Sequence, residues 1–117
     1  MSTIPAHMPG RSRVAVDPSV LRVHDEVRDA LASGRPVVAL ETTIFSHLGL
    51  PSPHNAAALE RCLLAIRSAG AVPAITAVLD GVARVGLEPA EHERILGGAR
   101  KLSARDVPVA IAQRWTY

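Results

Sequence analysis

The chain has 117 residues and a net charge of +2, and 48% of its residues are hydrophobic while 21% are charged. This length suits one modest domain, and the hydrophobic fraction excludes a disordered chain. The longest apolar stretch, residues 69–79, is shorter than the roughly 18 residues that a membrane-spanning helix needs, so we expect no membrane association. Charges are scattered and only 3% of residues are aromatic, which argues against nucleic-acid binding. Because Cys62 is the only cysteine, no intrachain disulfide can form, and we expect a cytoplasmic protein.

The first third of the chain predicts an arm, a helix and a strand. Residues 1–16 lack the apolar core of a secretory signal and are expected to form a disordered arm. Residues 17–19, Asp-Pro-Ser, predict the start of a helix. Apolar residues recur near the helical period over 20–31, and Gly34 is expected to end this helix. The short valine-rich run 36–40 predicts a buried strand with helices on both faces.

The middle of the chain predicts a helix followed by a hairpin. Asn55 is expected to cap a second amphipathic helix, which Gly70 ends. The apolar run 72–79 predicts a second strand. The Asp-Gly pair at 80–81 is a strong hairpin signal, and the chain is expected to return through 82–85.

The last third predicts a helix and a final strand. Residues 87–89 open a third helix, which the glycines at 97–98 interrupt. After a turn over 103–106, the apolar run 108–112 predicts a strand. The whole order predicts an α/β domain with layers of helix, sheet and helix. Because a last strand would have no helix to cover it, the α/β domain over residues 17–117 is expected to be incomplete at the C-terminus.

Glu41 is the most informative single residue, since it directly follows the predicted strand 36–40. In open α/β sheets, ligands bind beyond the carboxyl ends of the strands, so this carboxylate is expected to point into a binding crevice. Partial burial would raise its pKa and make it a usable proton donor near neutral pH. The alternative is an ordinary loop carboxylate or a helix cap.

Other reactive side chains carry weaker signals. The five histidines show no metal-ligand spacing, and the pair His47 and His54 is separated by two prolines, so no metal site is expected. Cys62 lies on the apolar face of a predicted helix and is interpreted as a core thiol. The standard nucleotide-binding glycine motifs are absent. Lys101, the only lysine, follows a glycine-rich break, where it is placed to hold a phosphate as a point charge.

Several of these segments together resemble the opening part of the pseudouridine-5'-phosphate glycosidase family, also called indigoidine synthase A-like. The ordered series at matching spacing is specific, and it runs from about Ser19 to Gln113. The resembling segments are Val-Val-Ala-Leu-Glu-Thr-Thr-Ile at 37–44, the Ser-His to Asn loop at 46–55, Gly-Ala-Val-Pro-Ala at 70–74, Asp-Gly at 80–81, Val-Gly-Leu at 85–87 and Lys-Leu-Ser-Ala-Arg-Asp-Val-Pro at 101–108.

The resemblance implies reversible cleavage of the C–C glycosidic bond of pseudouridine 5'-phosphate, which gives uracil and ribose 5-phosphate. It implies that Glu41 is the proton donor and that Lys101 binds this small-molecule substrate. Family members are similar in using a divalent metal, usually Mn2+, in bonding a second lysine covalently to the ring-opened sugar, and in forming homo-oligomers. No ligand for the metal is identified among these 117 residues.

The chain departs from the family pattern at several positions. Thr42 stands where the family usually has Ser, Leu48 lengthens the Ser-His-Gly-Pro loop by one residue, and Ala104 replaces the first Arg of a Ser-Arg-Arg-Asp stretch. The matched part ends before the family's metal-binding aspartate and covalent lysine. The resemblance therefore implies that residues 17–117 are the N-terminal portion of a larger α/β enzyme, and we expect the 117 residues alone to be inactive. The alternative is a non-catalytic α/β module that needs a partner chain to complete its sheet.

Overall fold

The computed structural model describes residues 16–115, and the arm predicted for 1–16 lies outside the described residues except for its last position. In chain order the elements are β1 Leu21–Val23, α1 Asp25–Ala32, β2 Val37–Leu40, α2 His54–Ser68, β3 Val72–Leu79, β4 Val82–Val85, α3 His92–Leu96 and α4 Val107–Ala112. Short 3-10 helices at Thr43–Phe45 and Pro89–Glu91 follow β2 and precede α3.

The four strands form one mixed sheet in the order β1-β4-β3-β2. β2 pairs in parallel with β3, and β1 pairs in parallel with β4, while β3 and β4 form an antiparallel hairpin. β2 is therefore an edge strand. Because Val38 on it is 39% exposed, the prediction of a buried strand over 36–40 is wrong. The layered α/β architecture predicted from the sequence is confirmed.

β3 lies at the centre of the fold, and its alternating side chains contact two separate apolar clusters. Val72 and Ala74 pack with Val27 and Ala30 of α1 on one face. The opposite face carries Ile75 and Leu79. These two residues pack with Phe45, Leu59, Leu87 and Ile95, which come from the segments after β2 and β4 and from α2 and α3. Burial on both faces explains why this strand is a continuous apolar run.

The hairpin between β3 and β4 follows the sequence prediction. Asp80 and Gly81 both have positive φ values, 54° and 77°. Two consecutive positive φ values are typical of the type I′ turn, whose twist matches that of the flanking strands. The predicted strands 72–79 and 82–85 are confirmed at both ends.

The start predicted for the first helix, at residues 17–19, is wrong. Leu21–Val23 form a strand, and its Cα partners in β4 are Ala83 to Val85. Helix α1 begins only at Asp25, where the His24 ring accepts the Glu26 main-chain N–H at 3.2 Å. A run of branched apolar residues suits either helix or strand, and here the neighbouring strand β4 supplies main-chain partners.

The strand predicted at 108–112 is also wrong, since Val107–Ala112 form helix α4. α4 contacts β3 and β4, and its Ala110 is fully buried. Pro108 lies in the first turn, where the N–H that proline lacks would have no helical partner. Residues 107–112 therefore form no uncovered last strand, because they are a helix that contacts the sheet.

Candidate functional site

Glu41 directly follows β2, and the chain then turns into the 3-10 helix Thr43–Phe45. Its carboxylate accepts the main-chain N–H of Thr43. Residue 41 therefore sits at the carboxyl end of a parallel pair of strands, the position at which α/β proteins bind ligands.

The pKa of Glu41 lies below its ordinary value. Burial acts to raise this pKa, but the Thr43 side chain and the main-chain N–H groups of Thr43 and Ile44 donate hydrogen bonds that lower it. The positive charge of Lys101 lowers it further. Because these donors favour the ionised form, the expected upward shift is wrong.

The Glu41 side chain lines a cleft of about 300 Å³ on the sheet. β3 and β4 contribute residues 76–78 and 83–85 to its lining. Thr42 and Thr43, which follow β2, and Arg100, Leu102 and Val107 complete the lining. A cleft of this volume suits a small-molecule ligand. Its lining includes the carboxylate of Glu41 and the guanidinium groups of Arg84 and Arg100.

The structure brings Lys101 to the same end of the sheet as Glu41. Lys101 is exposed and lines a small adjoining cavity that also includes Thr42, Thr43 and Arg100. These three residues line the main cleft as well. The lysine charge lowers the Glu41 pKa, so the two sequence-predicted residues interact electrostatically.

The segment that leads to Lys101 is held by His47, from the loop after β2, and by Asn55, from the first turn of α2. His47 donates its main-chain N–H to Gly97 O at 3.3 Å, and its Nδ1 lies 2.8 Å from Gly97 O and 3.1 Å from Ala99 N. The Asn55 amide donates to Phe45 O and to Leu96 O, each at 2.9 Å. These contacts connect the Glu41 side of the site to the Lys101 side.

Asn55 differs from its predicted role as a helix cap. Helix α2 begins at His54, and Asn55 is 3% exposed inside its first turn. Its side chain bridges two segments that are 10 and 41 residues away in the chain. An asparagine near a helix start is typical of a cap, and no local sequence pattern indicates such distant partners.

Arg84 is a site residue that sequence analysis missed. It makes a bidentate ion pair with Glu91 at 2.7 and 2.8 Å, and its side chain is 10% exposed. Within residues 16–115, its Nε is buried without a hydrogen-bond partner. A single arginine in the short strand Val82–Val85 carries no signal of this placement, because the partner comes from another element.

Over residues 16–115, no three His, Cys, Asp or Glu side chains are close enough to hold a metal ion. The described part of the chain thus provides no ligand set for the Mn2+ that the family resemblance implies. The same residues include no helix of the length and apolarity needed to cross a bilayer.

Comparison with known sequences adds the family context. The model of a family described as indigoidine synthase A-like protein matches residues 26–116. The chain is 50% identical over 99 residues to a pseudouridine-5'-phosphate glycosidase from Myxococcus xanthus. This match covers 82% of the present chain and 32% of the relative. A protein of the same name from Rhodospirillum centenum is 49% identical over 94 residues. This match covers 80% of the present chain and 29% of the relative. The chain spans about a third of the length of these relatives.

Two solved structures are similar to this one. An indigoidine synthase A-like protein from Thermotoga maritima superimposes with a TM-score of 0.73 at 26% identity, covering 91% of this chain and 34% of that one. The prealnumycin C-glycosynthase AlnA, solved in complex with ribulose 5-phosphate, superimposes with a TM-score of 0.65 at 41% identity. The match covers 82% of the present chain and 31% of AlnA. Both likenesses support the α/β fold.

Proposed function

The chain belongs to the family of indigoidine synthase A-like proteins, and from that premise we propose that it forms the N-terminal part of a pseudouridine-5'-phosphate glycosidase. The reaction is the reversible cleavage of a C–C glycosidic bond, which releases uracil and ribose 5-phosphate. The observation that carries the proposal is Glu41, which lines the cleft at the end of β2 beside the charge of Lys101. The names of the relatives at about 50% identity support the substrate.

Glu41 moves the proton in this proposal. A carbon leaving group must be protonated as the bond to the sugar breaks, and a positioned carboxylic acid can supply that proton. The low pKa of Glu41 leaves it ionised in the ligand-free chain. An ionised Glu41 is the proton acceptor of the synthetic direction, and it becomes the donor for cleavage after it takes up a proton.

Lys101 binds the substrate phosphate as a point charge. An anion beside Lys101 would offset the positive charge that lowers the Glu41 pKa. The effect would be small, because the hydrogen bonds from Thr43 and Ile44 lower this pKa more than the Lys101 charge does. AlnA, which binds a sugar phosphate, supports a phosphate-bearing ligand for this fold.

These 117 residues alone are proposed to be inactive. They contain one lysine, already assigned to binding, so no second lysine is present to bond covalently to the sugar. They match about a third of each relative. Because residues 16–115 provide no set of metal ligands, no step of the proposal passes through a metal. A homo-oligomer in the cytoplasm, expected from the family resemblance and the lone cysteine, remains part of the proposal.

A second candidate is a non-catalytic α/β module completed by a partner chain. The exposed edge strand β2, with Val38 39% exposed, favours it, because an unpaired strand edge can pair with another chain. The two candidates differ in whether Glu41 matters once the fold is complete.

The experiment joins this chain to the remaining two thirds of the Myxococcus xanthus relative, in place of the matching third. We expect the chimera to release uracil from pseudouridine 5'-phosphate, and the 117-residue chain to release none. Glu41→Gln should abolish release, since the amide cannot donate the proton, a loss on the order of 100-fold or more. Glu60→Gln, at an exposed position of α2, is the control and should leave the rate unchanged.

A folded chimera that keeps its rate after Glu41→Gln would contradict the assignment of Glu41. Uracil release by the 117-residue chain alone, lost in Glu41→Gln, would contradict the proposed inactivity. A folded chimera without any release would favour the non-catalytic module.

A further inference from the structure

Two threonine side chains connect the end of β2 to β3 on either side of Glu41. The Thr42 hydroxyl donates to the main-chain O of Thr76 at 3.1 Å. The Thr76 hydroxyl donates in return to the main-chain O of Leu40 at 2.9 Å. The residues before and after Glu41 are thus bonded to the same residue of β3, and we call Thr42 and Thr76 the threonine clamp.

The clamp continues the strand pairing beyond the point where the main chain stops it. Leu40 and Ile75 form the last Cα pair between β2 and β3. Past Leu40 the chain turns toward the 3-10 helix Thr43–Phe45. The two hydroxyl bonds act at this turn, where the described β2–β3 ladder has ended.

The β3 side of the clamp is firmly placed. Thr76 pairs with Val85 in the antiparallel hairpin, and the Gly86 N–H donates to Ile75 O at 2.8 Å. β3 is also the strand that both apolar clusters contact. A hydroxyl on this strand is therefore a stable reference point for the turn that carries Glu41.

We propose that Thr42 and Thr76 are positioning residues, which hold the turn at 41–44 so that the Glu41 carboxylate faces the cleft and keeps its main-chain donors. What Glu41 does there rests on the proposed function. The Thr43 N–H meets the Glu41 carboxylate only while residues 41 to 43 keep their local geometry. Because both clamp bonds are partly buried, water replaces them poorly when a hydroxyl is removed.

The test measures the titration of Glu41 in the 117-residue chain after each hydroxyl is removed. Thr42→Val and Thr76→Val keep the side-chain shape and remove the hydroxyl. We expect the Glu41 pKa, measured by NMR titration of carboxyl-labelled glutamate, to rise toward its ordinary value in both variants. The Thr43 amide should also exchange faster with solvent. Thr42→Ser and Thr76→Ser keep the donor and should restore both readouts.

Ser33→Ala is the matched control, since it removes a 2.8 Å hydroxyl bond to the main-chain O of Asp29 at the end of α1. It should leave both Glu41 readouts unchanged. Unchanged Glu41 titration and Thr43 exchange in folded valine variants would overturn the proposal, as would serine variants that fail to restore them. If Thr76→Val does not fold, Thr42→Val with Thr42→Ser decides. Neither the Glu41 titration nor the Thr43 exchange requires catalytic turnover. An active chimera whose rate is unchanged by Glu41→Gln would therefore contradict the proposed function and leave the positioning role of Thr42 and Thr76 intact.

Discussion

The α2-facing side of β3 and the edge that carries Glu41 are stabilised by different interactions. On the β3 side, Leu59, Ile75 and Leu79 are each 2% exposed and pack in an apolar cluster. At the edge, His47 and Asn55 connect the segment after β2 to the end of α3 through hydrogen bonds to main-chain groups. Apolar packing is strong but non-directional, whereas hydrogen bonds fix positions. Stability is therefore expected to depend on the first region, and the geometry of the site on the second.

Leu59→Ala tests the apolar side and should have the largest effect on stability. Removing a fully buried leucine side chain leaves a cavity, with an expected cost of about 2–5 kcal/mol in the free energy of unfolding. Chemical denaturation followed by circular dichroism measures this cost. Leu64→Ala, at a 68% exposed position of the same helix, is the control and should change stability little. Equal costs for the two variants would show that the cluster around Leu59 is not the stabilising core.

Asn55→Ala tests the edge and should have a smaller but more local effect. Leaving Phe45 O and Leu96 O without their amide donor is expected to cost about 1–3 kcal/mol. Hydrogen exchange should also speed up at the His47 N–H, which donates to Gly97 O. Uniformly faster exchange across β3 as well would contradict a local role. Gln113→Ala, at an exposed position, should change neither measurement.

Removal of a surface ion pair outside both regions should have the smallest effect on the free energy of unfolding. Glu26 of α1 and Arg67 of α2 form a bidentate pair at 2.8 and 2.9 Å, with side chains 38% and 50% exposed. Solvent screening limits such pairs, so Glu26→Gln should cost about 0.2–1 kcal/mol at neutral pH. A cost above that of Asn55→Ala would reverse the proposed order of the regions.

The same pair gives a pH dependence with a defined sign. The hydrogen bond from Arg67 lowers the Glu26 pKa below 4.5, the ordinary value for glutamate. Its contribution to stability is therefore present above that ordinary pKa and is lost as the pH falls through the lowered one. The difference in melting temperature between the parent chain and Glu26→Gln should shrink in this acid range. Glu60→Gln serves as the control.

Local patterns predicted the elements whose partners lie nearby in the chain. The continuous apolar run of β3 and the Asp80-Gly81 turn fix a hairpin between adjacent segments, and Gly70, with φ of 85°, follows the end of α2. The position of Glu41 after a valine-rich strand could also be predicted, because that strand is short, apolar and bounded by a turn.

Distant partners decided the rest. Leu21–Val23 is a strand because β4, some 60 residues later, pairs with it, and Val107–Ala112 is a helix that packs on β3 and β4. Short apolar runs suit either structure, so tertiary contacts choose between them. For Val107–Ala112, Pro108 in the first turn is a local sequence signal that favours a helix.

By itself, the sequence determined the α/β class, the central hairpin, the place of Glu41 at a strand end and the family that the chain resembles. Only the tertiary structure decided that Asn55 bridges two distant segments, that the partly buried Arg84 lines the cleft, and that the pKa of Glu41 is lowered rather than raised. The physical reason is the same in each case. Hydrogen-bond donors and charges act over a few ångströms in space, whatever their separation along the chain.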